Sequence, residues 1–192
     1  MVLEEDFEKN EVLGWSANIN KQRPVIVVNR QNHTVERKRF TLLHELAHIL
    51  LFQNKLINEM EDSEERLCER FAGALLCPAS VLKRELGVRR TVFSLRELIS
   101  IRERYGISIA AIVHRCKDLG IISEQYYNRI FDDYINLNKM EGGWGEYLMP
   151  ERTDRFHLLL QRAQIENLLT KEEFKKLGHR MLSDQREAVI WK

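Results

Sequence analysis

Between Arg39 and Phe52 the chain reads RFTLLHELAHILLF, and this run constrains the fold more than any other. Leu43, Leu46, Ala47, Leu50 and Leu51 recur at three- and four-residue spacing, the period of a helix with an apolar face, so it predicts a mostly buried helix. The same helix carries His44, Glu45 and His48. Two imidazoles and a carboxylate among leucines are costly unless a metal ion or hydrogen bonds compensate.

Residues four apart on a helix lie one turn above each other, so the two histidines of H-E-L-A-H face one point and can share a metal ion. Zinc suits such a pair: it binds imidazole nitrogen at roughly 2.0–2.1 Å, takes a third protein ligand, and in catalytic sites leaves its fourth position to water. It lowers the pKa of that water to about 7, and Glu45 stands beside it to take the proton. The bland alternative is a pair of hydrogen-bonded histidines, and the strongly apolar flanks weigh against it. For the third ligand, the first turn of the next predicted helix offers Glu61, Asp62, Glu64 and Glu65. Glu65 shares a face with Glu69, Ala72 and Leu76, which would let Glu65 reach the metal while Glu69 hydrogen-bonds a ligand histidine. Asp62 to Glu65 also fits a capping box, and Glu64 aligns with Leu67 and Phe71, so both glutamates stay open.

Elsewhere the pattern is mostly helical with a small N-terminal sheet, an α+β class. PVIVVN (24–29) reads as a strand covered on both faces, paired with Val12 to Ile19 across Asn20, Lys21 and Gln22. A second helix starts near Asp62 or Ser63, runs on Leu67, Phe71, Ala74 and Leu75, and stops at Pro78. Ser94 and Glu97 form a capping box for a helix ending at Gly106, Ser108 starts another through Leu119 and Gly120, and an amphipathic stretch covers about Glu124 to Leu137. EGGWGEYLMP (141–150) reads as a loop dividing a main domain, 1–140, from a helical C-terminal extension, 145–192, where Thr170 and Glu173 cap a further helix. Thirty basic against 29 acidic residues give no global pull toward nucleic acid or anionic membrane, three cysteines without a C-x-x-C pair suit a reducing compartment, and no apolar run approaches the ~20 residues of a membrane span. The expected setting is cytoplasmic.

RFTLLHELAHILL, followed by ERLCERFAGALLCP (65–78), resembles the ImmA/IrrE family of metallo-endopeptidases, whose pattern is R-F-T-x-x-H-E-x-x-H and then E-x-x-A-N-x-F-A-x-x-L-L-x-P. The preceding strand and RYGISIAAIVHRCKDLGII (104–122) are similar too, so the likeness runs from about Pro24 to Ile122. It implies a gluzincin-type, zincin-like domain with one zinc ion per chain and with Glu65, which opens the second block, as third ligand beside His44 and His48. It further implies cleavage of helix-turn-helix repressors that control mobile-element or stress-response genes. This chain departs from the pattern at Cys68 in place of alanine, Glu69 in place of asparagine or aspartate, and Cys77 in place of methionine; none removes a ligand, and the longer Glu69 bears on the orienting role alone. A regulatory protein that sequesters a repressor, or the toxin of a toxin–antitoxin pair, are alternatives on the same fold.

His114 lies on a helix whose apolar face is Ile109, Ile112, Val113 and Cys116, where it is placed to stabilise an oxyanion or contact substrate. The thiols read as small buried apolar groups, although Cys68, one turn from Glu65, offers a sulfur. Residues 94–122 have a helix-turn-helix outline, yet Ser108 to Val113 supplies no base-reading side chain, so no direct nucleic-acid contact is expected. Arg37, Lys38 and Arg39 form a basic cluster suited to a solvated face or to steering an acidic substrate segment. His33, His157 and His179 are given no role.

Overall fold

The computed structural model describes residues 1–7, 13–19, 23–30, 34–53, 64–149 and 155–179. The Asn20–Gln22 turn, Glu61, Asp62, Ser63 and His33 lie outside these, as do the side chains of His157 and His179.

Three strands form the sheet, β1 (Val2–Glu5), β2 (Gly14–Ile19) and β3 (Arg23–Asn29), in the order β1-β3-β2. The expected hairpin is there: β2 runs antiparallel to β3 with Gly14 opposite Val28 and Ile19 opposite Arg23. β1, parallel to β3 with Val2 opposite Ile26, is an addition that VLEE did not announce. Because β3 is central, Val25 to Val28 are all buried, as a run without alternation requires. Ile26 and Val28 pack on Ile49, Leu42 and Leu46, which lays the first helix across the sheet.

That helix, α1 (Val35–Ala47), starts at Thr34, whose hydroxyl accepts from the Arg37 N–H. At His48 it widens into a π-helical segment, His48–Gln53, and the His48 N–H is shared between the carbonyls of Glu45 and His44. The wider turn shifts the apolar face by one residue. Ile49 is 3 % exposed while Leu50, expected inside, is 37 % exposed.

The remaining helices are α2 (Glu64–Leu76), α3 (Ala79–Leu86), α4 (Leu95–Tyr105), α5 (Ile109–Asp118), α6 (Glu124–Ile130, continued as a π-helical segment, Phe131–Ile135), α7 (Arg155–Ile165) and α8 (Lys171–His179). α3 was unexpected, since Pro78 reads as a stop, but it also caps a new helix at once. Local signals hold in α4, where Ser94 and Glu97 make the reciprocal capping box and Gly106 takes the left-handed conformation. The buried face of α2 is not Leu67, Phe71, Ala74 and Leu75. It is Cys68, Ala72, Gly73 and Leu76, and Leu75 is 51 % exposed. Small residues let this helix lie close to its neighbours, which large side chains prevent.

The main core joins Leu76 and Cys77 to Leu82, Leu86, Leu98 and Ile101, to Ile109, Ile112, Val113 and Cys116 of α5, and to Tyr127, Ile130 and Ile135. α5 is therefore a core helix on the face its sequence indicates. Within this interior sits a charged set: Arg102 Nε donates to Glu36 at 2.7 Å, and its Nη1 lies 3.1 Å from Glu141. The Glu141 carboxylate also accepts from the N–H groups of Ile109 and Ala110, at 3.0 and 2.8 Å. Burial pushes the Glu36 carboxyl up, but hydrogen bonds from Arg102, the backbone and Thr34, together with the Arg102 charge, outweigh it and hold the pKa below its ordinary value. Residues 144–147 pack onto the main unit: Trp144 meets the core, and the Tyr147 ring lies over Gly106 where a Cβ would be only 2.8 Å away. Arg39 stacks on that ring and donates to its hydroxyl at 3.0 Å. Among the described residues no helix is long and apolar enough to cross a membrane.

Candidate metal centre

One turn of α1 separates His44 and His48, and their Nε2 atoms lie 3.1 Å apart with the rings edge to face. α2 brings in Glu65, with one carboxylate oxygen 3.0 Å from His44 Nε2 and the other 3.5 Å from His48 Nε2. Among the described residues these three form a cluster able to hold a metal ion. A tetrahedral ion with bonds of roughly 2.0–2.1 Å separates its ligands by about 3.3–3.4 Å. The 3.1 Å between the two Nε2 atoms is near that edge length, one ligand atom from each of the three residues lies within 4.8 Å of the others, and two imidazoles with a carboxylate are donors that a borderline cation such as zinc accepts. The residues present fit the group.

Glu65 and Glu64 divide between two tasks that the spacing left open. Glu65 points its oxygens at both Nε2 atoms, while Glu64 meets the opposite edge of His48, 3.0 Å from Nδ1. A carboxylate there keeps the proton on Nδ1 and leaves Nε2 as a lone-pair donor. Glu69, for which the spacing predicted such a bond, lies one turn further on in the wall of a cleft that also includes His114. The rotation of α2 about its axis decides which glutamate reaches which nitrogen, and that rotation follows from the Cys68–Ala72–Leu76 stripe being the buried one.

Glu45 is half-buried and runs beside the start of β2. A Cβ on Gly14 would come 3.6 Å from Glu45 Cγ, 2.7 Å from Thr41 Cγ2 and 2.8 Å from the Val27 carbonyl oxygen. Only glycine lets the strand lie this close to the helix that carries the histidines. Sequence reasoning missed Gly14, and its one signal was a glycine opening an otherwise strand-like stretch.

His114 belongs to an aromatic group on α5 and α6. Its ring centroid is 5.0 Å from those of Tyr127 and Phe131, and its Nε2 is 2.8 Å from the Tyr127 hydroxyl. Desolvation beside these rings lowers its pKa, against the opposing charges of Asp118 and Glu69. Cys68 is buried under the metal helix, its thiol pushed up to about 12 by burial and then by Glu65 and its neighbouring carboxylates. The cluster does not include its sulfur. Cys77 and Cys116 are likewise buried and free, with thiols raised to about 11 and about 12 mainly by burial.

Residues 1–117 match the Peptidase M78 family through its IrrE N-terminal-like domain. The chain belongs to this family. The matched part of this M78 peptidase-family protein takes in the sheet, both helices of the metal cluster and α5 as far as Lys117, so Glu64, Glu65 and His114 lie inside it. α6, α7 and α8 follow beyond it. No curated protein matches the chain.

Proposed function

We propose that this protein is a zinc-dependent endopeptidase of the cytoplasm that cuts a protein substrate at a specific site, the substrate being a helix-turn-helix repressor or antitoxin. The observation that carries the reading is the convergence of His44, His48 and Glu65 on one point, with Glu45 on the same helix. His44 and His48 would hold the ion through Nε2 and Glu65 through its carboxylate. Bound there, zinc polarises a peptide carbonyl and acidifies a water molecule. Glu45 takes the proton from the attacking water and passes it to the departing amine nitrogen, so one carboxylate serves as base and then acid. Glu64 keeps His48 in the tautomer that ligation needs. His114, with Tyr127 behind it, offers an N–H or O–H to the oxygen that becomes negative as the carbonyl is attacked. In the described sheet β2 is an edge strand beside α1, so an extended substrate can pair along it and present its carbonyl to the centre. The repressor as target follows from the family likeness, since relatives of this kind act on such proteins.

Purified protein supplied with zinc tests the reading beside His44→Ala, Glu65→Ala and Glu45→Gln. One zinc per chain is expected in the parent and in Glu45→Gln, and none in the other two. Incubated with helix-turn-helix repressors from the same cell, the parent should cut one of them into two fragments on a gel, abolished by chelator and by Glu45→Gln. Bound zinc with an intact repressor would favour a binding protein, and equal cutting by Glu45→Gln would refute the role of that carboxylate.

A further inference from the structure

A cleft of about 1130 Å³ opens between α1, α2 and α5. Its walls include Phe40, one turn before His44 on α1, and Glu69, one turn after Glu65 on α2. It therefore continues the metal centre along both helices. Seven basic and four acidic side chains line it. Two of the acids, Glu36 and Glu141, are both taken up by Arg102. Of the other cations, Arg66 and Arg70 have interactions of their own and Arg115 donates to the Cys77 carbonyl at 2.8 Å, so the bias of the walls rests chiefly on Arg37, Lys117 and Lys139, with Glu69 and Asp118 as the remaining acids.

The chain as a whole carries a formal charge of only +1, so the bias belongs to the cleft and not to the composition. Arg37 and Lys139 are exposed, with no acidic partner among the described residues. Lys117 lies 4.5 Å over the Tyr127 ring and 3.4 Å from Glu124. Beside these cations His114 and Phe131 present aromatic surface to the same space.

We propose that this cleft receives the side chains that follow or precede the scissile bond, and that it selects a substrate segment in which carboxylates alternate with apolar residues. The proposal rests on the endopeptidase reading and adds the chemistry of what is cut. The cations come from α1, α2, α5 and the turn after α6, spread along the walls. A compact anion calls for donors converging on one point, whereas a line of separate carboxylates on a peptide matches a spread arrangement. The volume is also slightly above that of small-molecule pockets, enough for several side chains. Charges of this kind steer the encounter and set specificity more than they add affinity, and their effect falls as salt screens them.

The test uses the full-length Glu45→Gln protein, which cannot consume the probe, and a fluorescein-labelled peptide of glutamates interspersed with leucines. Two further peptides carry glutamine or lysine in place of glutamate. Fluorescence anisotropy at low salt should show the glutamate peptide binding on the order of tenfold tighter than the glutamine peptide, with the lysine peptide weakest. The preference should shrink as salt is raised, persist in chelator because it rests on side chains and not on the ion, and be lost in Arg37→Glu/Lys139→Glu. Should that variant misfold by circular dichroism, Arg37→Gln/Lys139→Gln takes its place. No measurable binding of the glutamate peptide, equal binding of the glutamine peptide, a preference that disappears with chelator, or one that survives both variants would each overturn the proposal. The two readings fail separately. Charge preference without cleavage of any protein by the parent leaves the cleft standing and removes the peptidase, whereas cleavage without charge preference does the reverse.

Discussion

α2 and α5 both press one face into the interior, with opposite materials. The buried face of α5 is Ile109, Ile112, Val113 and Cys116, at the centre of the main core. That of α2 is Cys68, Ala72, Gly73 and Leu76. Large branched side chains on α5 remove much apolar area from water, at roughly 25 cal/mol per Å². Small ones on α2 remove little, but they bring its backbone close to α1, and at Gly73 an added Cβ would stand 3.4 Å from Arg115 of α5. One helix stabilises; the other sets the distance across which Glu65 reaches two imidazoles.

The comparison breaks most severely at the start of α5. Glu141→Ala removes the carboxylate that accepts from Ile109 and Ala110 and that shares Arg102 with Glu36. Loss of one member of a buried charged set costs about 3–5 kcal/mol, which urea unfolding should register as a lower midpoint. Next, Ile112→Ala opens a cavity at a fully buried position. It should cost about 2–5 kcal/mol while the fraction that stays folded binds one zinc per chain as before. A loss of zinc in that folded fraction would show that the two helices are not separable in their roles.

Ala72→Leu inverts the expectation. Overpacking a fully buried site on α2 should cost about 1–3 kcal/mol and, by pushing α2 away from α1, weaken zinc binding more than it weakens the fold. Titration against a competing chelator measures this, and unchanged zinc affinity would remove the spacing role from the α2 stripe. Smallest in stability, and confined to the site, is Glu64→Ala. The metal-free protein should unfold as the parent does, while zinc affinity falls about 10- to 100-fold. Glu69→Ala should leave that affinity nearly unchanged, because the bond to His48 Nδ1 comes from Glu64.

What could be read in the sequence was whatever a short window decides. Ser94 with Glu97, Ser108, Gly106 and Thr170 with Glu173 announce helix ends through bonds made within four residues, and all are present. The β2–β3 pairing needs only a short turn between two β-prone runs. The histidine pair is legible because helix geometry alone places four-residue neighbours together. β1 was not legible, since its partner β3 lies more than twenty residues away and VLEE shows neither alternation nor a long apolar run. Nor was the buried face of α2, where large apolar residues dominate any periodicity yet close approach demanded the small ones. The division of labour between Glu64 and Glu65 depends on that same rotation. The cleft combines residues from 13 to 141, a juxtaposition no single window contains.

The π-helical segment that begins at His48 has a consequence for how such chains can change in length. A wider turn holds one residue more than an α-turn, so losing one residue within His48–Gln53 lets the segment return to the ordinary period while its two flanks keep their faces. Tightening to the α period with no residue lost would instead turn the segment, and Ile49 would no longer be the residue delivered to Ile26 and Val28. The wide turn works as a slack joint behind the second histidine, taking up one residue of length while the helix in front of it keeps its aim.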